Sequence, residues 1–493
     1  VQRMTGLSSM FVLLGLAGYL AARQTLPGAP RRALLLMGAS LTIATSLAVL
    51  SKESGVLLPL YVFVLECTLL KRPDAAAPRE WQLTQALFVW FPSVVVAAVL
   101  IMQLPYDDSM VLRRDFNAWE RVLTQAGILW TYLIKAVAGL PGQLGVYQPD
   151  PAVARGLFAP LTLLATAAWT AVVAVAIRWR RKLPLFAFAA LWFLAGHVLE
   201  STVLPLELYF EHRNYLPIAG PVIAVVAFLL MHSDETRKIS RFAIPALVVL
   251  NLVLLFGVTS LHGNTSVSAR YWAQKHPDSY RAVLNLGRVQ LIEEGLDASL
   301  ATVNDYVSRN PQDGYLYIYV LDASCQHFPD RVSPADVDAI AAAADQFRFS
   351  FLAAELLSGL HATSVSTSCA AVDVDSVVRL AEAIRANPRF SANAEYGKLH
   401  FVLMATIERT AGNLDGAIAN LEKALEHQMT PQVVQIVAIS LAEAQQYDRA
   451  REVARAAGDN IPLNPFRAWQ WRRSIDQIYN YVDAVERKDR MTK

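Results

Sequence analysis

The sequence predicts an all-α chain in two parts. A polytopic helical membrane domain over residues 1–262 is followed by a soluble, tetratricopeptide-like helical-repeat solenoid over 263–493. Three observations carry this. Hydrophobic residues make up 54% of the 493 and charged residues only 17%, which is low for a soluble protein. The apolar excess lies before about His262, cut into runs near the length that crosses a bilayer. Beyond it the composition is ordinary, and a weak recurrence of about 33 residues appears, close to the 34 of tetratricopeptide repeats.

The apolar runs place spans at about 7–22, 33–50, 55–70, 84–103, 157–177, 184–204, 215–232 and 242–261, each bounded where charge begins. The chain opens on "VQRMTGLSSMFVLLGLAGYLAARQ", without an initiator methionine and without the charged start and cleavage site of a signal peptide, so a truncated N-terminus is expected. Arg23, Arg31 and Arg32 follow the first span, and Lys71, Arg72 and Arg79 the third. "RWRRK" (Arg178 to Lys182) follows the fifth, and Arg237, Lys238 and Arg241 the seventh. Every second connection is therefore basic, which orients those connections to the cytoplasm. "SKESG" (Ser51–Gly55), the loop 104–156, "ELYFEHRN" and the whole second half then face outward. The segment Trp119–Gly142 is apolar enough for a ninth span, which would invert this order. It carries Glu120, Arg121 and Lys135 in an amphipathic pattern, so it is expected to lie in the interface.

In the second half, Ala405, Ala417, Leu421 and Ala424 recur as Ala438, Ala450, Ala454 and Ala457. Small residues there let the two helices of a hairpin approach closely, and "GNLDGAI" supplies the turn. An earlier unit is suggested by Gly287, Gly295, Ala298 and Pro311, while 313–390 is helical by pattern and degenerate as repeat. A stacked solenoid presents a concave surface to protein segments; the plain alternative is a helical domain that props up the membrane part. Cys325 and Cys369 lie in this half and Cys67 in an apolar span. An outward compartment lets the first two pair, the alternative being two buried free thiols. Three cysteines supply no zinc spacing. The net charge of +2 says nothing about nucleic acid, and with no basic stripe with interleaved aromatics no nucleic-acid partner is expected.

Ionisable residues gather at the outward ends of the spans. Lys52 and Glu53 form the polar tip of a hairpin; His197 and Glu200, spaced i, i+3, are expected to share a helix face. Glu211, His212 and Arg213 stand between two apolar runs, and Asp107, Asp108, Arg113 and Arg114 lie in the long loop. Ionisable groups in membrane domains face a bundle interior or a wet cavity. Cations beside an apolar groove suit a phosphate whose lipid tail lies in the bilayer: Arg offers a bidentate fork and Lys a point charge. A nearby carboxylate orients those cations or serves as a base on an acceptor hydroxyl. The plain reading of Lys52–Glu53 and Asp107–Asp108 is an interfacial anchor that snorkels to water. It explains the triplet poorly, since three adjacent residues point in different directions. Glu211 is expected to hold Arg213, with Lys52 reaching them from the neighbouring hairpin.

"LSKESGVLLPLYVFVLE", "ERVLTQAGILWTYLIKAVAGLP" and "ELYFEHRNYLPIAG", followed by repeats, resemble bacterial relatives of the transmembrane O-mannosyltransferases that carry tetratricopeptide repeats, of the C-type glycosyltransferase superfamily. The resemblance covers about 30–270 by motif. It implies a polyprenyl-phosphate sugar as donor, used on the periplasmic face of a bacterial inner membrane, and an acceptor protein or glycan recruited by the repeats. In that superfamily the catalytic acid sits in the first outer loop, after the first transmembrane helix. It is therefore expected upstream of residue 1, and no catalytic residue is named. Lys52, Glu53, His197, Glu200, Glu211, His212 and Arg213 are the expected donor-binding residues, with no cofactor and no set of metal ligands; a divalent metal has no support in the sequence. Two competing readings are a non-enzymatic membrane-anchored scaffold and a flippase for a lipid-linked glycan. The flippase would place its ionisable residues at mid-membrane depth in broken helices.

Overall fold

The structure, a computed structural model, describes residues 2–70, 79–102, 116–138, 151–202, 206–231, 234–367, 369–461 and 465–492. It is all-α, 83% helical with no strand among the described residues. The described residues up to Ala282 form one compact unit and those from Val283 a second. The first unit thus extends beyond the expected change at 262/263.

In the first unit, α1 (Gln2–Thr25) and α2 (Pro30–Ser51) form an antiparallel hairpin. A 3₁₀ turn, Glu53–Leu57, leads into α3 (Leu58–Thr68). Next come α4 (Arg79–Gln85) and α5 (Phe91–Met102), joined by a π-helical turn at Ala86–Trp90. α6 (Ala118–Ala138), α7 (Pro160–Arg178) and α8 (Pro184–His197) follow. A second 3₁₀ turn, Glu211–Asn214, precedes α9 (Ala219–Met231), α10 (Asp234–His262) and α11 (Thr265–Lys275). Proline starts α2, α7 and α8, where its missing N–H has no intrahelical partner to lose. The core gathers Tyr19, Met37, Leu58, Tyr61, Trp81 and Trp192, all nearly or fully buried.

Among the described residues, five helical stretches are long and apolar enough to cross a membrane: Arg3–Thr25, Pro30–Ser51, Arg79–Ile101, Pro160–Arg178 and Lys238–His262. Three of the eight expected spans are shorter as helices: α3 has 11 residues, α8 14 and α9 13. At about 1.5 Å per residue these do not cover a hydrocarbon core of roughly 30 Å. The run expected over 184–204 stops being helical at His197 because the residues after it turn, with Ser201 N–H donating to His197 O at 2.8 Å. The turn carries Glu200 to partners on other elements. α6 also differs from expectation. Its polar stripe turns towards protein rather than interfacial water: Arg121 and Gln125 are buried.

In the second unit, α12 (Tyr280–Glu293, which begins at the unit boundary), α13 (Leu296–Arg309), α14 (Tyr317–His327), α15 (Pro334–Ala342), α16 (Leu352–Ser366) and α17 (Val374–Ala386) lead to a short α18 (Pro388–Ser391). Two antiparallel pairs follow, α19 (Ala394–Thr410) with α20 (Leu414–His427) and α21 (Pro431–Glu443) with α22 (Tyr447–Asp459), then a long α23 (Pro465–Thr492). The recurring small residues lie at these helix contacts. Ala405, Ala417, Leu421 and Ala424 are buried, as are Ala438, Ala450, Ala454 and Ala457. The turns recur too. Asn413 N–H donates to Glu408 O (2.9 Å) and Gln446 N–H to Leu441 O (2.8 Å), each closing its helix with a Schellman-type bond. Both turns need a left-handed residue, Gly412 at φ 80° and Gln445 at φ 59°. The irregular middle is cross-tied. Arg348 grips buried Asp313 through two nitrogens. Cys325 and Cys369 form a disulfide, with Cα atoms 5.4 Å apart, and Cys67 takes no part in it.

Candidate functional site

Four elements of the first unit converge at one end of its bundle. α2 ends at Ser51, and Lys52 breaks it by going extended (φ −159°, ψ 144°) while its N–H still donates to Ala48 O. Its side chain then reaches the turn after α8, where Nζ meets Glu200 Oε1 at 2.7 Å. The 3₁₀ turn at Glu211–Asn214 delivers Arg213, whose Nε lies 3.2 Å from Glu200 Oε2. All three side chains are less than a tenth exposed. Arg213 also donates through a terminal nitrogen to Glu207 O at 2.5 Å. One carboxylate thus sits between two cations, leaving one net positive charge in a poorly hydrated place.

α1 supplies the fourth side. Thr5, Ser8 and Ser9 line a cavity of about 20 Å³ with Lys52, Glu200 and Arg213. That volume holds one water-sized group; anything as large as a phosphate requires a side chain to move. Tyr61 closes the floor. Gly196 lets the chain pass over it, since a Cβ there would lie 2.4 Å from the Tyr61 hydroxyl and 2.5 Å from the Pro217 ring.

The backbone that presents Glu200 is held by α6. Arg121, wholly buried, donates to Glu200 O at 2.8 Å, to Thr202 O at 2.9 Å and to Leu206 O. Gln125 donates to Leu208 O (2.7 Å). The Tyr132 hydroxyl donates to Phe210 O (2.9 Å) and accepts from Phe210 N–H (3.0 Å). Sequence reasoning missed this clamp. The available signal was the placing of 121, 125 and 132 on one stripe of α6.

The expected residues divide. Lys52, Glu200 and Arg213 come together, and Glu200, not Glu211, is the carboxylate in the described ion pair with Arg213. Glu211 instead lies near Lys135, whose ammonium stands 4.7 Å over the Tyr209 ring. His197 and Glu200 do not share a helix face, because α8 ends at His197. The His197 ring stacks on Tyr132 (5.2 Å) and its Nδ1 hydrogen-bonds Phe193 O (2.9 Å). His212 is half-buried 5.1 Å from the Phe210 ring. Its burial, then the Lys52 ammonium, push its imidazole below the ordinary value. Glu53 is exposed and outside the cluster. Asp107, Asp108, Arg113 and Arg114 lie outside the described residues. Among those described, no group of His, Cys, Asp and Glu is arranged to hold a metal ion. The chain matches no protein-family model, and no curated protein matches it.

Proposed function

We propose that this chain is a membrane glycosyltransferase that moves a sugar from a polyprenyl-phosphate donor to an acceptor, with the helical repeats of its second unit recruiting an acceptor protein. The observation that carries the reading is the buried Lys52–Glu200–Arg213 cluster at one end of an apolar helical bundle. A polyprenyl phosphosugar is a phosphodiester with one negative charge, the sign that Lys52 and Arg213 attract. Its prenyl tail needs the apolar surroundings that the spans provide. In transfer, the bond from the sugar's anomeric carbon to phosphate oxygen breaks and its electron pair stays on the phosphate. The acceptor oxygen bonds that carbon and its proton passes to a carboxylate base. Fixed cations that meet the growing phosphate charge lower the barrier. Arg213 carries a planar, fork-shaped guanidinium that can grip two phosphate oxygens, so it takes the leading role. Since the cavity holds only one water-sized group, the donor phosphate takes over the cations from Glu200, which swings aside.

Other features fit this reading. The Cys325–Cys369 bridge belongs in an oxidising compartment, and Arg178–Lys182 lies at the opposite end of α8 from His197, as the positive-inside rule requires of an outward site. The resemblance to bacterial transmembrane O-mannosyltransferases names the same donor class, and the buried 33-residue recurrence supports tetratricopeptide-like hairpins. One observation favours the scaffold: Lys52 and Arg213 are both paired, as structural cations would be. The deciding experiment measures sugar transfer from a polyprenyl phosphosugar by membranes holding Arg213→Ala or Arg213→Lys at parental abundance. Loss on the order of 10²–10³ in rate for Arg213→Ala, with a smaller loss for Arg213→Lys, is expected. A parental rate for Arg213→Ala makes the cluster a structural clamp and hands the lead to the scaffold.

A further inference from the structure

The end of the first unit far from the Lys52–Glu200–Arg213 cluster carries a charge arrangement of the opposite kind. α7 stops at Arg178 and α8 begins at Pro184. Between them the chain makes one ordered turn, closed by Trp179 N–H to Val175 O (2.9 Å) and by Lys182 and Leu183 N–H to Trp179 O (2.8 Å each). Arg178, Arg180, Arg181 and Lys182 all project from this turn into the open. None of the four makes an ion pair among the described residues, whereas Lys52 and Arg213 share Glu200 and Arg23 meets Glu66. The sequence places no carboxylate between Asp150 and Glu200, so neither flanking helix brings a counter-charge.

Three apolar side chains surround the cations: Ile177, Trp179 and Leu183, 53%, 44% and 48% exposed. α7 is apolar and long enough to cross a membrane, so the turn sits where hydrocarbon gives way to headgroups. Tryptophan favours that depth, and clustered Lys and Arg there attract anionic lipid.

We propose that Arg178–Lys182 binds anionic phospholipid headgroups: four exposed cations on one ordered turn, unpaired among the described residues, take the phosphates, and Trp179 and Leu183 enter the acyl boundary. The lipid supplies the counter-charge that no described residue brings. This holds whether or not the chain transfers sugar. A soluble phosphate lacks the acyl chains that the apolar rim contacts, so it competes poorly.

Trp179 reports on the site directly. The full chain is reconstituted in vesicles containing equal fractions of phosphatidylglycerol and phosphatidylcholine, with bromine on the acyl chains of one lipid or the other. Emission of the Trp179→Phe variant, subtracted from the parent, isolates Trp179. Brominated phosphatidylglycerol should quench it more strongly than brominated phosphatidylcholine, and inorganic phosphate should leave that difference intact. Arg180→Gln/Arg181→Gln should cut the preference on the order of tenfold. Equal quenching of parental Trp179 by the two lipids overturns the proposal, whatever the variant does. Loss of the preference on adding inorganic phosphate overturns it as well, in favour of a free-phosphate site. Labelling of Asn264→Cys from one side of the membrane checks that the neutralised variant keeps the parental orientation.

Discussion

Glu200 Oε1 lies 2.7 Å from Lys52 Nζ, across 148 residues of chain and with both side chains under a tenth exposed. Desolvating two charges is costly, and a buried pair is most sensitive when one member is removed and the other stays behind uncompensated. Glu200 also serves Arg213, so Glu200→Gln strands two cations and should cost about 3–5 kcal/mol. Lys52→Met strands nothing, since Glu200 keeps Arg213, and should cost less. Made in the Glu200→Gln background, Lys52→Met should be neutral or stabilising. Denaturant midpoints of the four proteins in detergent check the cycle; equal effects of Lys52→Met in both backgrounds would show the two residues to be uncoupled.

The Arg121 clamp predicts a positioning effect. A hydrogen bond from a charged group contributes about 1.5–3 kcal/mol, and Arg121 makes three to the backbone around Glu200. Lysine cannot reproduce a fork that spans three carbonyls. Arg121→Lys should therefore loosen the backbone at Glu200, Thr202 and Leu206, raising hydrogen exchange beside those carbonyls, and should lower transfer mainly through kcat as Glu200 and Arg213 drift. Unchanged exchange beside those carbonyls with slowed transfer would instead put Arg121 in contact with substrate.

Much of this was legible in the sequence, and the failures share a cause. Lys52 and Arg213 stand out because charge beside an apolar run requires an explanation. Arg213's partner does not stand out, because the eye pairs it with Glu211 two residues away, while the fold brings Glu200 from another turn. The amphipathic pattern of α6 identifies a helix with a polar stripe. It does not say whether that stripe meets water or the carbonyls of Glu200, Thr202, Leu206, Leu208 and Phe210. Hydropathy reads 184–204 as one run because it averages over the turn that follows His197 and carries Glu200. The repeat is visible through its alanines, which crowding demands, and invisible at Gln445, where only backbone geometry is shared with Gly412.

That shared geometry supports a stability prediction. Gln445 holds φ 59° in the turn between α21 and α22, a region that costs a side chain-bearing residue about 1–2 kcal/mol. Glycine occupies the matching turn at 412 and pays only its larger unfolded-state entropy, about 0.5–1 kcal/mol. Gln445→Gly should raise stability by about 0.5–1 kcal/mol, read as a higher melting temperature. Gly412→Gln should lower it comparably.

The disulfide predicts a chemical outcome. Non-reduced peptides of protein from an oxidising envelope should contain Cys325 joined to Cys369, with Cys67 alone alkylated. The bridge closes a separation of 44 residues, so Cys325→Ala/Cys369→Ala should cost about 3–4 kcal/mol. Two further alkylatable thiols in the parent would refute the pairing.

The last prediction concerns acid. His361 on α16 is buried, and its Nδ1 has no hydrogen-bond partner among the described residues. Burial pushes its imidazole below the ordinary value, which in an unfolded chain is about 6.5. The folded state therefore resists a proton that the unfolded state accepts. Its contribution to stability is complete above about pH 6.5 and declines as pH falls through that value towards the folded pKa. His400 shifts the same way, through burial first, with Glu382 Oε1 at 3.2 Å from its Nε2 in partial opposition. Each such histidine adds a slope of at most about 1.4 kcal/mol per pH unit within its window. The melting temperature of the full chain should fall between about pH 7 and pH 5.5. His361→Met keeps an apolar group of comparable length and removes the titration, so its melting temperature should fall less over the same interval. Parallel slopes for His361→Met and the parent would mean that His361 takes up its proton without opposing the fold.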